Sequence, residues 1–125
     1  MTNRQPDVTV DLDGRTMTSQ DGFHKAFADG LGFPDFYGRN MDAWLDCMSC
    51  IDAPESGMSD VFIPSGGLLV IRIRNAEIMR KADPDLWKEM QECVEYANEE
   101  LRKHGGSRIR IVKGPADNDD EPQNT

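Results

Sequence analysis

The chain has 125 residues, of which 38% are hydrophobic, enough for one domain with a modest core. Its formal net charge of −9 argues against direct nucleic-acid binding, because phosphate neutralisation needs clustered Lys and Arg. No apolar run reaches the ~18 residues of a membrane span, and Met1 to Asp7 carries no apolar signal core; three cysteines without framework spacing suit a reducing, cytoplasmic setting.

Residues 1–6 are expected to be a flexible N-terminus, followed by one domain over 7–113. Val8, Val10 and Leu12 alternate with Thr9 and Asp11, the period of a half-buried strand, and Asp13-Gly14 is a turn signal that ends it. Thr18 and Ser19 offer an N-cap for a helix with Phe23, Ala26, Phe27 and Leu31 on one face. Gly30, Gly32 and Pro34 close that helix. His24 lies off its apolar stripe, which predicts a surface or boundary residue.

Residues 33–47 come next and are the most informative part of the chain. Pro34 and Gly38 punctuate an aromatic loop containing Phe36 and Tyr37, and Asn40 is a good N-cap for a short helix. Met41, Trp44, Leu45 and Met48 form its apolar stripe, with Asp42 and Asp46 side by side on the opposite face. A like-charge i,i+4 pair costs a helix roughly 0.2–0.5 kcal/mol. The helix dipole partly compensates Asp42 but not Asp46, a turn further in. Spacing alone reads this pair as a solvated face. Gly38 is expected to supply a positive φ or a close backbone approach, and one of Phe36 and Tyr37 is expected to tuck into the core.

Residues 52–67 form a long loop rich in Gly, Pro, Ser and Asp, with room for a short strand at Val61–Ile63. The run Leu68-Leu69-Val70-Ile71, with Ile73, suits a central strand covered on both faces. Residues 76–81 can form a short helix. Asp83-Pro84 then starts a helix of about five turns marked by Trp87, Met90, Val94, Ala97 and Leu101, which Gly105-Gly106 halts. Arg108 to Val112 is a last strand, with Arg72, Arg74, Arg108 and Arg110 facing solvent. The remaining residues, 114–125, read as a disordered acidic tail; Asp117, Asp119, Asp120 and Glu121 supply −4 of the net charge and leave −5 on the body. Helix-connected strands in this order predict an α/β fold with a small three-stranded parallel sheet and three to four helices.

Other chemistry finds little support in the residues. Cys47-Met48-Ser49-Cys50 has the Cys-x-x-Cys form but falls near the end of a helix, where no N-terminal dipole lowers a thiol pKa. Adding Cys93 or a histidine gives no second ligand pair of zinc-site spacing, so neither metal nor cofactor is expected. No nucleophile–base constellation and no phosphate loop is visible, which leaves a carboxylate-dependent hydrolase using Asp42 and Asp46 as a minor rival and disfavours an enzyme.

The run Phe36-Tyr37-Gly38-Arg39-Asn40-Met41-Asp42-Ala43, with Asp46-Cys47 behind it, resembles the barstar family of intracellular ribonuclease inhibitors. The opening strand and Asp13-Gly14 turn, the Phe23-His24-Lys25 helix and the later element order extend the resemblance over most of the body. It implies a barstar-like α/β fold and a partner-binding surface of Phe36, Tyr37, Gly38, Asn40, Asp42, Ala43 and Asp46. Asp46 takes the place of a substrate phosphate, Asp42 meets a neighbouring basic group, and Phe36 packs on a histidine of the enzyme. The implied function is an immunity protein or antitoxin of a bacterial cytoplasm, monomeric when free, that plugs a basic extracellular-type ribonuclease. Departures are Phe36 where the family usually has tyrosine, the Trp44-Leu45 order, and the longer 52–67 loop. A further acidic contact on the last helix falls on either Glu99 or Glu100. A regulatory module that binds another basic protein without inhibiting it stays open, since folds are reused.

Overall fold

The computed structural model describes residues 7–115; residues 1–6 and most of the expected tail lie outside the described residues. Three strands, β1 (Asp7–Asp13), β2 (Leu68–Arg74) and β3 (Arg108–Lys113), form one parallel sheet in the order β1-β2-β3. Four α-helices join them: α1 (Gln20–Leu31), α2 (Met41–Ser49), α3 (Ala76–Ala82) and α4 (Pro84–His104). The predicted α/β architecture is the one observed.

The helix ends follow the expected chemistry. The Ser19 side chain accepts from the Gly22 N–H at 3.2 Å and starts α1. Gly32, at φ 71°, ends it in the left-handed region that glycine adopts without strain. A side chain at Gly32 would also strike Asp60 of the long loop, which packs against this helix end. Asp83 caps α4 through the Leu86 N–H at 3.0 Å, with Pro84 in its first turn.

The core forms where α1, α2 and α4 meet one face of the sheet. Phe23, Phe27, Leu31, Trp44, Met48, Met90, Ala97 and Leu101 are buried there with Leu69, Ile71 and Ile73 of β2. The other face of β2 departs from expectation: Leu68 and Val70 are half-buried and Arg72 is exposed. The sheet is covered on one side, and its open side carries charge pairs across the ladder instead of helices. Asp11 sits opposite Arg72 in the β1–β2 register and bonds its guanidinium at 2.5 Å.

The 52–67 segment contains no strand at Val61–Ile63. Its backbone donors go elsewhere: the Asp60 and Val61 N–H groups donate to the Leu31 carbonyl and that of Ile63 to the Ile51 carbonyl. Ladder pairing is thus replaced by single bonds to helix ends, and Ile63 is buried all the same. The Ser107 hydroxyl ties the loop further, donating to Asp52 at 2.6 Å and accepting from the Gly66 N–H at 2.9 Å.

Asn98 fixes α4 to β3 at two points. Its Nδ2 donates to the Ile109 carbonyl at 2.9 Å, and its Oδ1 accepts from the Ile109 N–H at 2.7 Å. Replacing it with alanine leaves both backbone groups of an inward-facing strand residue unpaired. Asn98→Ala is expected to lower unfolding free energy by about 1–3 kcal/mol in urea titration with little change in m-value.

Candidate functional site

Between Gly32 and Asn40 the chain makes one tight excursion. The Tyr37 N–H donates to the Pro34 carbonyl at 2.9 Å, closing a turn that sends neighbouring aromatic rings in opposite directions. Tyr37 packs inward on Phe33, with ring centroids 4.8 Å apart, while Phe36 points out and is 76% exposed. One ring of the expected pair is therefore half-buried against the core and the other on the surface.

His24 is where the sequence reading fails. It is 1% exposed, not a boundary residue, and its Nδ1 shares a 2.5 Å hydrogen bond with the Tyr37 hydroxyl. The reason is the loop itself, which folds back over the flank of α1 beside the Phe23 stripe and covers the ring. Its Nε2 has no hydrogen-bond partner among the described residues. Burial depresses the imidazole pKa, with the nearby Arg39 charge acting in the same direction and Asp21 opposing both.

Of the two roles expected of Gly38, the structure shows the close approach. The positive φ belongs to Arg39, at 56°, and not to the glycine. Gly38 instead allows a close approach, since a Cβ there would lie 3.3 Å from Asn40 Nδ2 and 3.6 Å from the Ala43 Cβ. Asn40 uses that proximity. Its Oδ1 accepts from the Ala43 N–H at 2.8 Å, and its Nδ2 reaches the Gly38 carbonyl at 3.3 Å. One side chain thus caps α2 and ties the cap to the loop.

Helix α2 buries Trp44, Cys47 and Met48, whereas Met41 and Leu45 are half-buried. The apolar stripe is rotated toward Cys47 relative to the predicted one, which brings Leu45 to the rim of a surface cleft. Burial pushes the Cys47 thiol pKa up to about 11 and raises that of Cys50, the opposite of an activated Cys-x-x-Cys pair. Asp42 and Asp46 are exposed on the far side of the helix.

Two concavities meet at this acidic face. A cleft of about 570 Å³ between α2 and α4 is lined by Asp42, Leu45, Asp46 and Ser49 from one helix and Tyr96 and Glu100 from the other. A second notch, of about 280 Å³, is bounded by Phe36, Tyr37, Gly38, Ala43, Asp46 and Met58. Asp46 is the one residue that borders both. Of the seven residues expected at a binding surface, Asn40 lines neither cavity and acts as the cap between them.

The two glutamates of α4 face different ways. Glu100 faces the acidic cleft, whereas Glu99 points to another flank and pairs with Arg102 at 2.6 Å. Tyr96, one turn before Glu100 and 61% exposed, was not anticipated, although its i,i+4 spacing from Glu100 is visible in the sequence. Met58 could not be found that way, because nothing in a long loop fixes which residue folds back.

Residues 8–112 match the family described as Barstar (barnase inhibitor). The chain belongs to that family. A curated relative, "Putative ribonuclease inhibitor YrdF" of Bacillus subtilis (strain 168), is 29% identical over 92 residues, covering 73% of this chain and 86% of the relative. The barstar match spans all three strands and all four helices, so α2 and the loop before it lie inside it.

The buried His24 gives this barstar fold a distinctive acid response. Its pKa is lower in the folded chain than the ~6.5 of an unfolded one, so the unfolded state binds more protons as pH falls below that value. Stability is then expected to decline from about pH 6.5 downward, before the carboxylate ion pairs titrate. Denaturation midpoints at pH 7 and pH 5 should differ for the wild type and much less for His24→Gln.

Proposed function

We propose that the protein inhibits a ribonuclease by covering its active site with α2 and the Phe36 loop. Ribonuclease sites hold RNA phosphate with Arg, Lys and His, and a carboxylate on a rigid helix makes similar charge-assisted hydrogen bonds to those groups. The observation that carries this reading is Asp46 at the junction of two concavities, exposed and with no ion pair among the described residues. Family membership and the relative's name support the same reading. Asp42 and Glu100 add negative charge on one side of Asp46, and Phe36 offers a stacking face on the other.

In this reading the protein has no chemistry of its own. Asp46 takes the position of a substrate phosphate, Asp42 engages a flanking basic side chain, and Phe36 packs on a flat catalytic group. Tyr37, Gly38, Asn40 and Ala43 shape the contact edge. The physiological setting we infer is the cytoplasm of a bacterium that makes a secreted-type ribonuclease, where the inhibitor serves as immunity protein. Attraction between the acidic face and a basic active site accelerates encounter and weakens with salt.

The test is direct. Co-expression with candidate ribonucleases, scored by growth and RNA cleavage, should show protection by the wild type. Asp46→Ala should weaken binding by about 3–5 kcal/mol, because it leaves the enzyme's cations covered but unpaired. Asp42→Ala should be intermediate. Both changes remove a like-charge contact, so thermal unfolding should shift upward slightly, by a few tenths of a kcal/mol. Undiminished binding of every partner by Asp46→Ala would overturn phosphate mimicry at this residue.

A further inference from the structure

The 52–67 loop has no role in the function proposed above, yet it is held in place at several points beside the site. The Ala53 N–H donates to the Cys50 carbonyl at 2.9 Å, holding the start of the loop to the end of α2. A short 3₁₀ turn over Pro54–Ser56 follows, ending on Gly57 at φ 69°. The Met58 N–H then donates to Ser56 Oγ at 3.2 Å. Beyond Met58, Ser59 is buried and bonds the Val61 carbonyl, and the Asp60 and Val61 N–H groups attach to the end of α1. A loop that merely connected α2 to β2 would not need this many anchors on both sides of one half-buried methionine.

Those anchors place Met58 in the wall of the notch that Asp46 borders. Phe36 and Tyr37 supply aromatic surface, Gly38 and Ala43 leave room, and Asp46 gives the notch its one carboxylate. The occupant that satisfies every wall is a planar cation. A guanidinium or imidazolium pairs with the carboxylate in its plane and presents flat faces to the ring and the thioether. A neutral aliphatic group would strand Asp46, and a compact ammonium would leave the flat walls unfilled.

We propose that Met58 is a partner-contacting residue, and that the 52–67 loop is a second arm of the inhibitory face, packing on a planar cationic side chain of the ribonuclease held by Asp46. This rests on the inhibitor reading above. The loop extends the contact past α2 and makes recognition depend on whether the enzyme's surface leaves space for Met58 beside that cation.

A panel of secreted bacterial ribonucleases that includes barnase provides the test, with the tightest binder carried through equilibrium and kinetic measurements. Met58→Ala should weaken binding about tenfold, chiefly in dissociation rate, and by more than the modest loss of stability expected from trimming a half-buried side chain that packs against the core. Met58→Leu, which keeps the apolar volume, should restore most of the loss. The proposal is overturned if Met58→Ala binds within about twofold of wild type while Asp46→Ala loses binding, an outcome that leaves the inhibitor reading intact. It is equally overturned if Met58→Ala weakens binding only in step with lost stability. If no ribonuclease on the panel binds the wild type, the inhibitor reading falls first and the loop's role falls with it.

Discussion

The site depends on an aromatic wedge driven between α1 and α2. Phe23, Phe27 and Trp44 pack with ring centroids 4.8–5.8 Å apart, all fully buried. His24 extends the wedge to Tyr37, and Tyr37 extends it to Phe33. This chain of rings joins the helix before the loop, the loop itself and the helix after it. Each ring brings a large buried area and a preferred geometry, so the loop inherits rigidity from the core instead of from its own backbone bonds. The arrangement has a local cost. His24 Nε2 and Trp44 Nε1 are both buried without hydrogen-bond partners among the described residues, and such groups cost about 1–3 kcal/mol each. Both orphans belong to residues that hold the loop or the acidic helix, and polar compromises of this kind persist where the surrounding packing fixes a functional shape.

The distribution of ion pairs shows the same division between framework and surface. Several acidic side chains of the framework have cations of their own: Asp11 has Arg72, Asp13 has Arg15, Glu77 has Arg80 and Lys113, and Glu99 has Arg102. Arg15 and Asn75 hold the Asp13 carboxyl well below the usual carboxylate range, and Arg80 with Lys113 lowers Glu77 to about 2. These exposed pairs contribute little stability individually. Their consequence is positional: they keep basic side chains on the open sheet face and on the flanks of α3 and α4. Among the described residues Asp42 and Asp46 have no such counter-ion, and Glu100 has a long 3.4 Å contact with Lys103. The charge of α2 is therefore left available to a cation from outside the chain.

Most of the fold could be read from the sequence because periodicity and capping agreed at each element. Ser19, Asn40 and Asp83 all cap the helices predicted from them. The misreadings share one cause. His24, the rotated stripe of α2 and the half-bare face of β2 depend on what packs over a residue, which local pattern does not contain. The apolar run Leu68–Ile71 looks like a doubly covered strand, but three strands and four helices leave the outer face open to the Asp11–Arg72 ladder. The candidate site follows the same division. Phe36, Asp42 and Asp46 stand out in sequence as exposed types in a costly arrangement, whereas Glu100 and Tyr96 required the crossing of α4 against α2.

The departures from the family pattern fall at positions where they alter the partner more than the fold. Phe36 removes a phenol hydroxyl from a ring that is already in solvent, so nothing inside the protein loses a partner. The Trp44-Leu45 order puts the indole in the aromatic wedge and the smaller side chain at the cleft rim. The long loop attaches to existing helix ends through the Leu31, Cys50 and Ile51 carbonyls and builds its wall beside the notch without disturbing the sheet register. All three changes act on the borders of the concavities flanking Asp46, while the cap at Asn40 and the burial of Trp44 and Met48 hold the carboxylate in place. On the inhibitor reading proposed above, a fixed central charge with variable walls would let one fold present the same anion to differently shaped basic sites.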